Sequence, residues 1–152
     1  MDGGSLKSFE IVPYEPRHMR EIALRPSQAY LGAYLDARSG IPESVVSQGS
    51  CWTAIHYGVP IACAGFRDIW EGRAETWAVL SPEAESYALR ITRAVRRAID
   101  IHPAVRIEAT VVKGFLPGER WAKALGFKPD GIRERYHEGR DHVAFVLLKS
   151  YL

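Results

Sequence analysis

Two carboxylates lie on strand-like stretches of the chain, Glu75 within Arg73–Leu80 and Glu108 within Val105–Val112, and each could serve as a general base. The plainer alternative for both is a surface strand position or an ion pair. Tyr136 and Tyr87 are phenols that could donate a proton. His56 sits in another strand-like stretch, where a hydrogen-bonded, half-buried ring is the simpler reading. His137 and His142 flank a turn together with Glu138 and Asp141, which are metal-ligating types. Nothing in their spacing fixes a tetrahedral site, so no metal is expected. Cys51 and Cys63 lack a CxxC spacing and read as free buried thiols of a reducing compartment. Arg90, Arg93, Arg96 and Arg97, with Lys113 and Arg120, could form a basic face. No aromatic stacking motif accompanies them, so a solvated helix face is preferred and no specific nucleic-acid signal is read.

The elements that must position these groups centre on Arg73 to Ile101. Arg73–Leu80 reads as a strand, and Ser81-Pro82 starts the longest helical pattern, Pro82 to Ile101. Ser81 suits an N-cap whose hydroxyl accepts a first-turn amide, and Pro82 suits a first position that needs no donor. Ala84, Tyr87, Ala88, Ile91, Ala94, Val95, Ala98 and Ile99 follow at three- and four-residue steps and predict one apolar stripe. Pro103 stops the helix, and the strand Val105–Val112 completes a βαβ unit, whose two strands should run parallel. Earlier come a short strand at Ser8–Val12, a helix at Pro16–Leu24 with Met19, Ile22 and Ala23 buried, a helical segment Gln28–Arg38 and a turn at Pro42–Ser47. Cys51–Tyr57 and Pro60–Ile69 predict a hairpin about Gly58-Val59, continuing into Arg73–Leu80 as an antiparallel meander. Pro117–Leu125 predicts a short helix ended by Gly126. Lys128–Tyr136 and Asp141–Leu148 predict a last hairpin, with Val143, Phe145 and Leu147 on one buried face. Gly65 inside a strand predicts a bulge or a close approach. Trp77 and Trp121 are expected in the core, whereas Trp70 sits at a turn tip, a place for a contact surface.

A chain of 152 residues with a net charge of +2 fits one globular domain, residues 1–152, with a loose polar start at Met1–Lys7. The charge is too small to argue for nucleic acid. No apolar run approaches the roughly 20 residues of a membrane span, and no signal-peptide core is present, so synthesis in the cytoplasm is expected.

The order of strand, helices, three-strand meander, long helix, strand, short helix and final hairpin resembles the GNAT (GCN5-related N-acetyltransferase) superfamily. Trp121-Ala-Lys-Ala-Leu-Gly-Phe127 resembles that superfamily's closing helix. The resemblance implies an α/β (α+β) fold with a mixed, mostly antiparallel, twisted sheet of about six to seven strands and helices on both faces. More narrowly, the sequence is similar to a GNAT-like family of tailed bacteriophages that includes an internal virion protein of short-tailed phages. Tyr57-Gly58-Val59-Pro60 with Ala62 and Gly65, Thr76–Ser81, and Gly126-Phe127 through Tyr136 carry that likeness. It implies host cytoplasm or a virion as the location, and virion or host proteins as partners.

The superfamily resemblance also implies acetyl-CoA as cofactor and acyl transfer to an amine, with Glu75 or Glu108 taking the ammonium proton and Tyr136 as a substitute acid. By position in that fold, Trp77, Ala78, Val79, Leu80, Ser81, Glu83 and Ala84 would line the cofactor groove. The strands Trp77–Leu80 and Ile107–Val112 would splay to make it. The residues depart from the pattern in two places. Where a glycine-rich turn should present amides to a pyrophosphate, the chain reads Leu80-Ser-Pro-Glu-Ala-Glu, without glycine and with two carboxylates. The superfamily's catalytic tyrosine position is Ala122, and its usual asparagine corresponds to Phe115. The alternative to an enzyme is therefore a non-catalytic protein that binds no cofactor and acts by protein contacts, with side chains or a loop filling the groove.

Overall fold

A computed structural model describes residues 7–35 and 39–150. The expected loose end at Met1–Lys7 lies outside the described residues except for Lys7, and so does the end of the helical segment at Arg38. Seven strands form one open sheet in the order β1-β2-β3-β4-β5-β7-β6. They are β1 (Glu10–Pro13), β2 (Cys51–His56), β3 (Val59–Trp70), β4 (Arg73–Leu80), β5 (Arg106–Val112), β6 (Lys128–His137) and β7 (Arg140–Leu148). β1/β2, β2/β3, β5/β7 and β6/β7 pair antiparallel, while β4 and β5 pair parallel at Arg73↔Arg106, Ala74↔Ile107 and Glu75↔Glu108. The mixed, mostly antiparallel α/β class and the parallel βαβ unit stand as read from the sequence.

Two compact units make up the chain. One runs to Arg67 and adds Trp77–Ile91; the other comprises Asp68–Thr76 and the chain from Thr92 onward. In the first, α1 (Pro16–Glu21), a 3₁₀ turn (Pro26–Leu31), α2 (Gly32–Leu35) and α3 (Ile41–Ser44) precede β2. Tyr14, Met19, Ile22, Leu35, Val45, Cys63 and Val79 form its core, with Trp77 partly buried against them. Ile22 is buried as expected, but Ala23 is exposed, because the helix ends at Glu21 and Ile22 already has extended backbone. The predicted Gln28–Arg38 helix is mainly the tighter 3₁₀ form, starting at Pro26. The β2–β3 turn falls one residue earlier than expected, on Tyr57 (φ 45°) and Gly58 (φ 79°). Positive φ at both positions is what a two-residue turn needs to match the strand twist. A Cβ on Gly65 would lie 2.6 Å from the Cys51 Cβ, 2.7 Å from the Ser50 carbonyl oxygen and 2.9 Å from the Trp77 ring. Close approach is thus the reason for that glycine.

The long helix differs from its prediction at its start. Pro82–Tyr87 is a 3₁₀ turn, and α-helix begins only at Ala88, giving α4 (Ala88–Ile101). A 3₁₀ turn rotates the chain faster per residue than an α-helix, so the two segments do not share one stripe. Ala84, Ile91 and Ile99 are buried, whereas Ala88 is exposed and Ala94, Val95 and Ala98 are half-buried. Arg90, Arg93, Arg96 and Arg97 are all exposed, the solvated face that was expected.

In the second unit, Ile99, Ile107 and Phe145 are almost fully buried. The end of α4 is capped by Lys149, whose Nζ donates to the carbonyls of Ile99, Asp100 (3.3 Å) and His102 (2.6 Å). α5 (Leu116–Ala124) ends as predicted at Gly126, φ 102°. The Gly126 amide donates to Lys123 O and the Phe127 amide to Ala122 O, both at 3.0 Å, which is a Schellman closure requiring the left-handed residue. Trp121 is half-buried, its Nε1 donating to Thr92 Oγ1 at 2.9 Å. β7 departs from the one-sided expectation: Val143, Ala144, Phe145 and Val146 are all buried. Both faces of the strand are therefore covered over this stretch, not one.

Candidate functional site

The parallel register of β4 and β5 sets Arg73 opposite Arg106 and Glu75 opposite Glu108. Residues two apart on a strand share a face, so these four charges form one ladder. Like charges directly opposite repel, and the structure resolves this diagonally. Arg73 grips Glu108 with two guanidinium nitrogens, Nε to Oε2 at 2.8 Å and Nη2 to Oε1 at 2.9 Å. Arg106 Nε adds a third bond to Oε2 at 2.6 Å and sends Nη2 to Asp130 at 2.9 Å. Arg133 Nη2 stands 3.8 Å from Glu108 Oε1, and its Nη1 donates to the Tyr136 hydroxyl at 3.1 Å. Glu75 lies 3.8 Å from Arg73. The three residues proposed for proton transfer, Glu75, Glu108 and Tyr136, are thereby linked through Arg73 and Arg133.

Electrostatics divides the two carboxylates. Glu108 is buried, at 4% exposure, and the Arg73 guanidinium, with help from Arg106, holds its carboxyl well below the usual range, at about 2. A carboxylate so stabilised in its charged form is a weak proton acceptor near neutral pH. Its surroundings are those of an ion-pair centre. Glu75 is half-buried with a looser cation contact. A cleft of about 460 Å³ opens here, lined by Trp70, Gly72, Arg73, Arg106, Glu108 and Arg133. Trp70 is 66% exposed at the β3–β4 turn, with the Arg73 guanidinium 4.7 Å above its ring centre. The three arginines were missed in the sequence, although the alternation Arg73-x-Glu75 and Arg106-x-Glu108 was there to be seen.

The second candidate region is the β4 end and the turn after it. The Ser81 amide donates to Ile61 O on β3 at 2.9 Å, and the Ala84 amide donates back to Ser81 O at 3.1 Å. Pro82 has no amide hydrogen. Of positions 81 to 84, three therefore offer nothing to an anion. Glu83 and Glu85 are exposed, and Glu83 Oε2 lies 2.9 Å from His56 Nδ1. The Ser81 side chain does not cap the helix as predicted, because its hydroxyl is buried and unbonded while the carbonyl takes the turn's first bond. Upstream, the Ala78 carbonyl accepts from Gln28 Nε2 (2.9 Å) and the Leu80 amide donates to Gln28 Oε1 (2.7 Å). Trp77 and Val79 carry their side chains into the first unit's core.

The other groups are local. His18 is buried, its Nδ1 accepting from the Glu15 amide at 3.1 Å and 2.8 Å from Thr53 Oγ1. Cys63 is fully buried, and burial pushes its thiol up to about 12. His137 and His142 pack edge to face at 6.5 Å. No group of three or more metal-ligating side chains converges among the described residues.

No family model and no curated protein matches the chain. Solved structures do. Ribosomal-protein-S5-alanine acetyltransferase from Vibrio fischeri superposes with a TM-score of 0.71 at 14% identity, covering 93% of each chain. A GNAT-family acetyltransferase from Bacillus anthracis gives 0.66 at 15% identity, covering 94% of this chain and 96% of that one. The fold is the GNAT fold. A putative acetyltransferase from Salmonella typhimurium, solved with its cofactor acetyl-CoA, gives 0.64 at 12% identity over 93% and 94% of the two chains. In the GNAT fold the turn after β4 is where the sequence pattern would place a pyrophosphate. Here the donor set does not fit one, with a proline, two carboxylates and two amides already spent.

Proposed function

We propose that this chain is a GNAT-fold protein of the phage-encoded type that acts through protein contacts, as a virion component or on a host protein in the host cytoplasm. The observation that carries the reading is the turn after β4. Amides at Ser81 and Ala84 are bonded within the protein, Pro82 has none, and Glu83 and Glu85 add negative charge. A like charge within 4–6 Å costs on the order of a kcal/mol or more near a protein surface, against the roughly 0.3–1 kcal/mol a helix dipole returns. The exposed Trp70 beside the arginine cleft suits a contact surface, since tryptophan and arginine anchor many interfaces.

A second reading, N-acetyl transfer from acetyl-CoA to an amine, is favoured by the fold shared with acetyltransferases, one of them solved with that cofactor. Under it Trp77–Leu80 would line the cofactor, Glu75 rather than the arginine-bound Glu108 would take the ammonium proton, and Tyr136 would serve as acid. A thermal titration separates the two. A ligand at 100 times its dissociation constant stabilises a protein by about 2.7 kcal/mol, roughly 5–10 °C for a domain of this size. The melting temperature is expected to stay unchanged in millimolar acetyl-CoA. A clear rise would overturn the contact reading and place the enzyme reading first.

A further inference from the structure

Gln28 bonds to β4 as a neighbouring strand would. Backbone groups of successive strand residues point to opposite edges. The Ser81 amide faces β3 through Ile61 O, so the polar groups of Ala78 and Leu80 point to the other edge. On that edge one carboxamide satisfies both ends of a strand-pairing site, donating to Ala78 O at 2.9 Å and accepting from Leu80 N at 2.7 Å. The Arg25 amide takes Leu80 O at 3.0 Å, and the Gln28 amide returns to Arg25 O at 2.9 Å, closing the turn that holds the side chain in place. Pro26, at the first position of that turn, stiffens it.

We propose that Gln28 is a built-in occupant of this strand edge and determines whether the chain can take an extended, amide-bearing acyl thioester. The pantetheine arm of an acyl-CoA is such a chain, and a strand edge binds one by main-chain-type hydrogen bonds. Any such ligand must first displace the Gln28 carboxamide, losing two good hydrogen bonds to make two. The competition lowers affinity by on the order of tenfold or more. The inference deepens the reading that the unmodified chain does not take acetyl-CoA, since it supplies a cause separate from the missing phosphate seat.

The probe that isolates this cause is S-acetylpantetheine, which has the amide arm and the thioester but no phosphate. Binding is followed by NMR titration of the full chain and of Gln28→Ala and Gln28→Met, the latter filling the same space without polar groups. Hydrogen exchange at the Leu80 amide reports whether the native bond exists and is lost. The expected result is no saturation for the unmodified chain, at least tenfold tighter saturable binding for Gln28→Ala, and faster Leu80 exchange in both variants. Gln28→Met should still fold if Gln28→Ala does not, and should gain affinity over the unmodified chain. Equal affinity in all three proteins, or no binding by a folded variant whose Leu80 amide has become exchangeable, overturns the proposal. Acetyl-CoA is titrated in parallel. Tight binding by the unmodified chain with no gain in the variants would sink this inference and the contact reading together. Tight binding with a further gain in the variants would sink the contact reading alone.

Discussion

His18 and Glu108 are both buried and titratable, and they make the protein's pH response readable. His18 Nδ1 accepts a backbone amide, so that nitrogen carries no proton in the native ring. Burial lowers its affinity for a second proton below the ordinary 6.5. The unfolded chain then binds more protons than the native one as pH falls through about 6.5, and stability declines from there. Glu108 acts lower down. Its native carboxyl titrates at about 2 against 4.5 ordinarily, so its contribution is complete above about 4.5 and vanishes as pH approaches 2. Melting temperature against pH should show both declines, and Glu108→Gln should remove the lower one. That substitution leaves Arg73 and Arg106 without their counter-charge and should cost about 3 kcal/mol, measurable by urea titration. Gly65→Ala places a methyl against the Cys51 Cβ and the Ser50 carbonyl and should cost about 2 kcal/mol by the same measurement. Glu75 and Glu108 were visible in the sequence as carboxylates on strands. What distinguishes them was not, because it depends on which arginine the parallel register brings alongside.

At the scale of elements, the signals that proved readable were local ones. Gly126 closes α5 and Pro82 opens a turn, each through backbone geometry set by a few neighbouring residues, and the β2–β3 hairpin was readable although its turn lies one residue earlier, at Tyr57-Gly58. The 3₁₀ start of the long helix was not readable, since Ser-Pro-Glu suits either helix type. Gln28 was invisible for another reason: its partners lie 50 and 52 residues away and nothing around it marks a docking side chain. Lys149 is the same kind of residue. It neutralises the negative end of α4 from nearly fifty residues downstream. Lys149→Met keeps its length but removes charge and donors, and should cost about 1–2 kcal/mol. Hydrogen exchange should then rise first in the last turn of α4, whereas a uniform increase along the chain would argue against a capping role.

For the molecule as a whole, the fold is that of solved GNAT structures, while the residues at the turn after β4 depart from the pattern the resemblance implies. The mixed, mostly antiparallel sheet, the parallel pair and the closing helix were legible from the order of patterns, whereas the insertion of β7 between β5 and β6 was not. The departures from what the resemblance implies lie at few positions: Pro82 and the two glutamates at the turn, Ala122 in the short helix, and the arginines holding Glu108. A scaffold can keep its core while a site is remade, because burial constrains volume and polarity but not reactivity.

The position of β7 between β5 and β6 has a consequence for how the protein is made. β6 leaves the ribosome with no partner and β5 with β4 alone, since the strand that joins them is synthesised after both. Until residue 148 has emerged, β5 has an unpaired edge on that side and Ile107 lacks the strand its residue is registered against, Leu147. Non-local pairing of this kind is slow, and unpaired strand edges invite intermolecular association. Fast translation or high expression should therefore favour insoluble product through this half of the chain, and slower synthesis at low temperature should recover it.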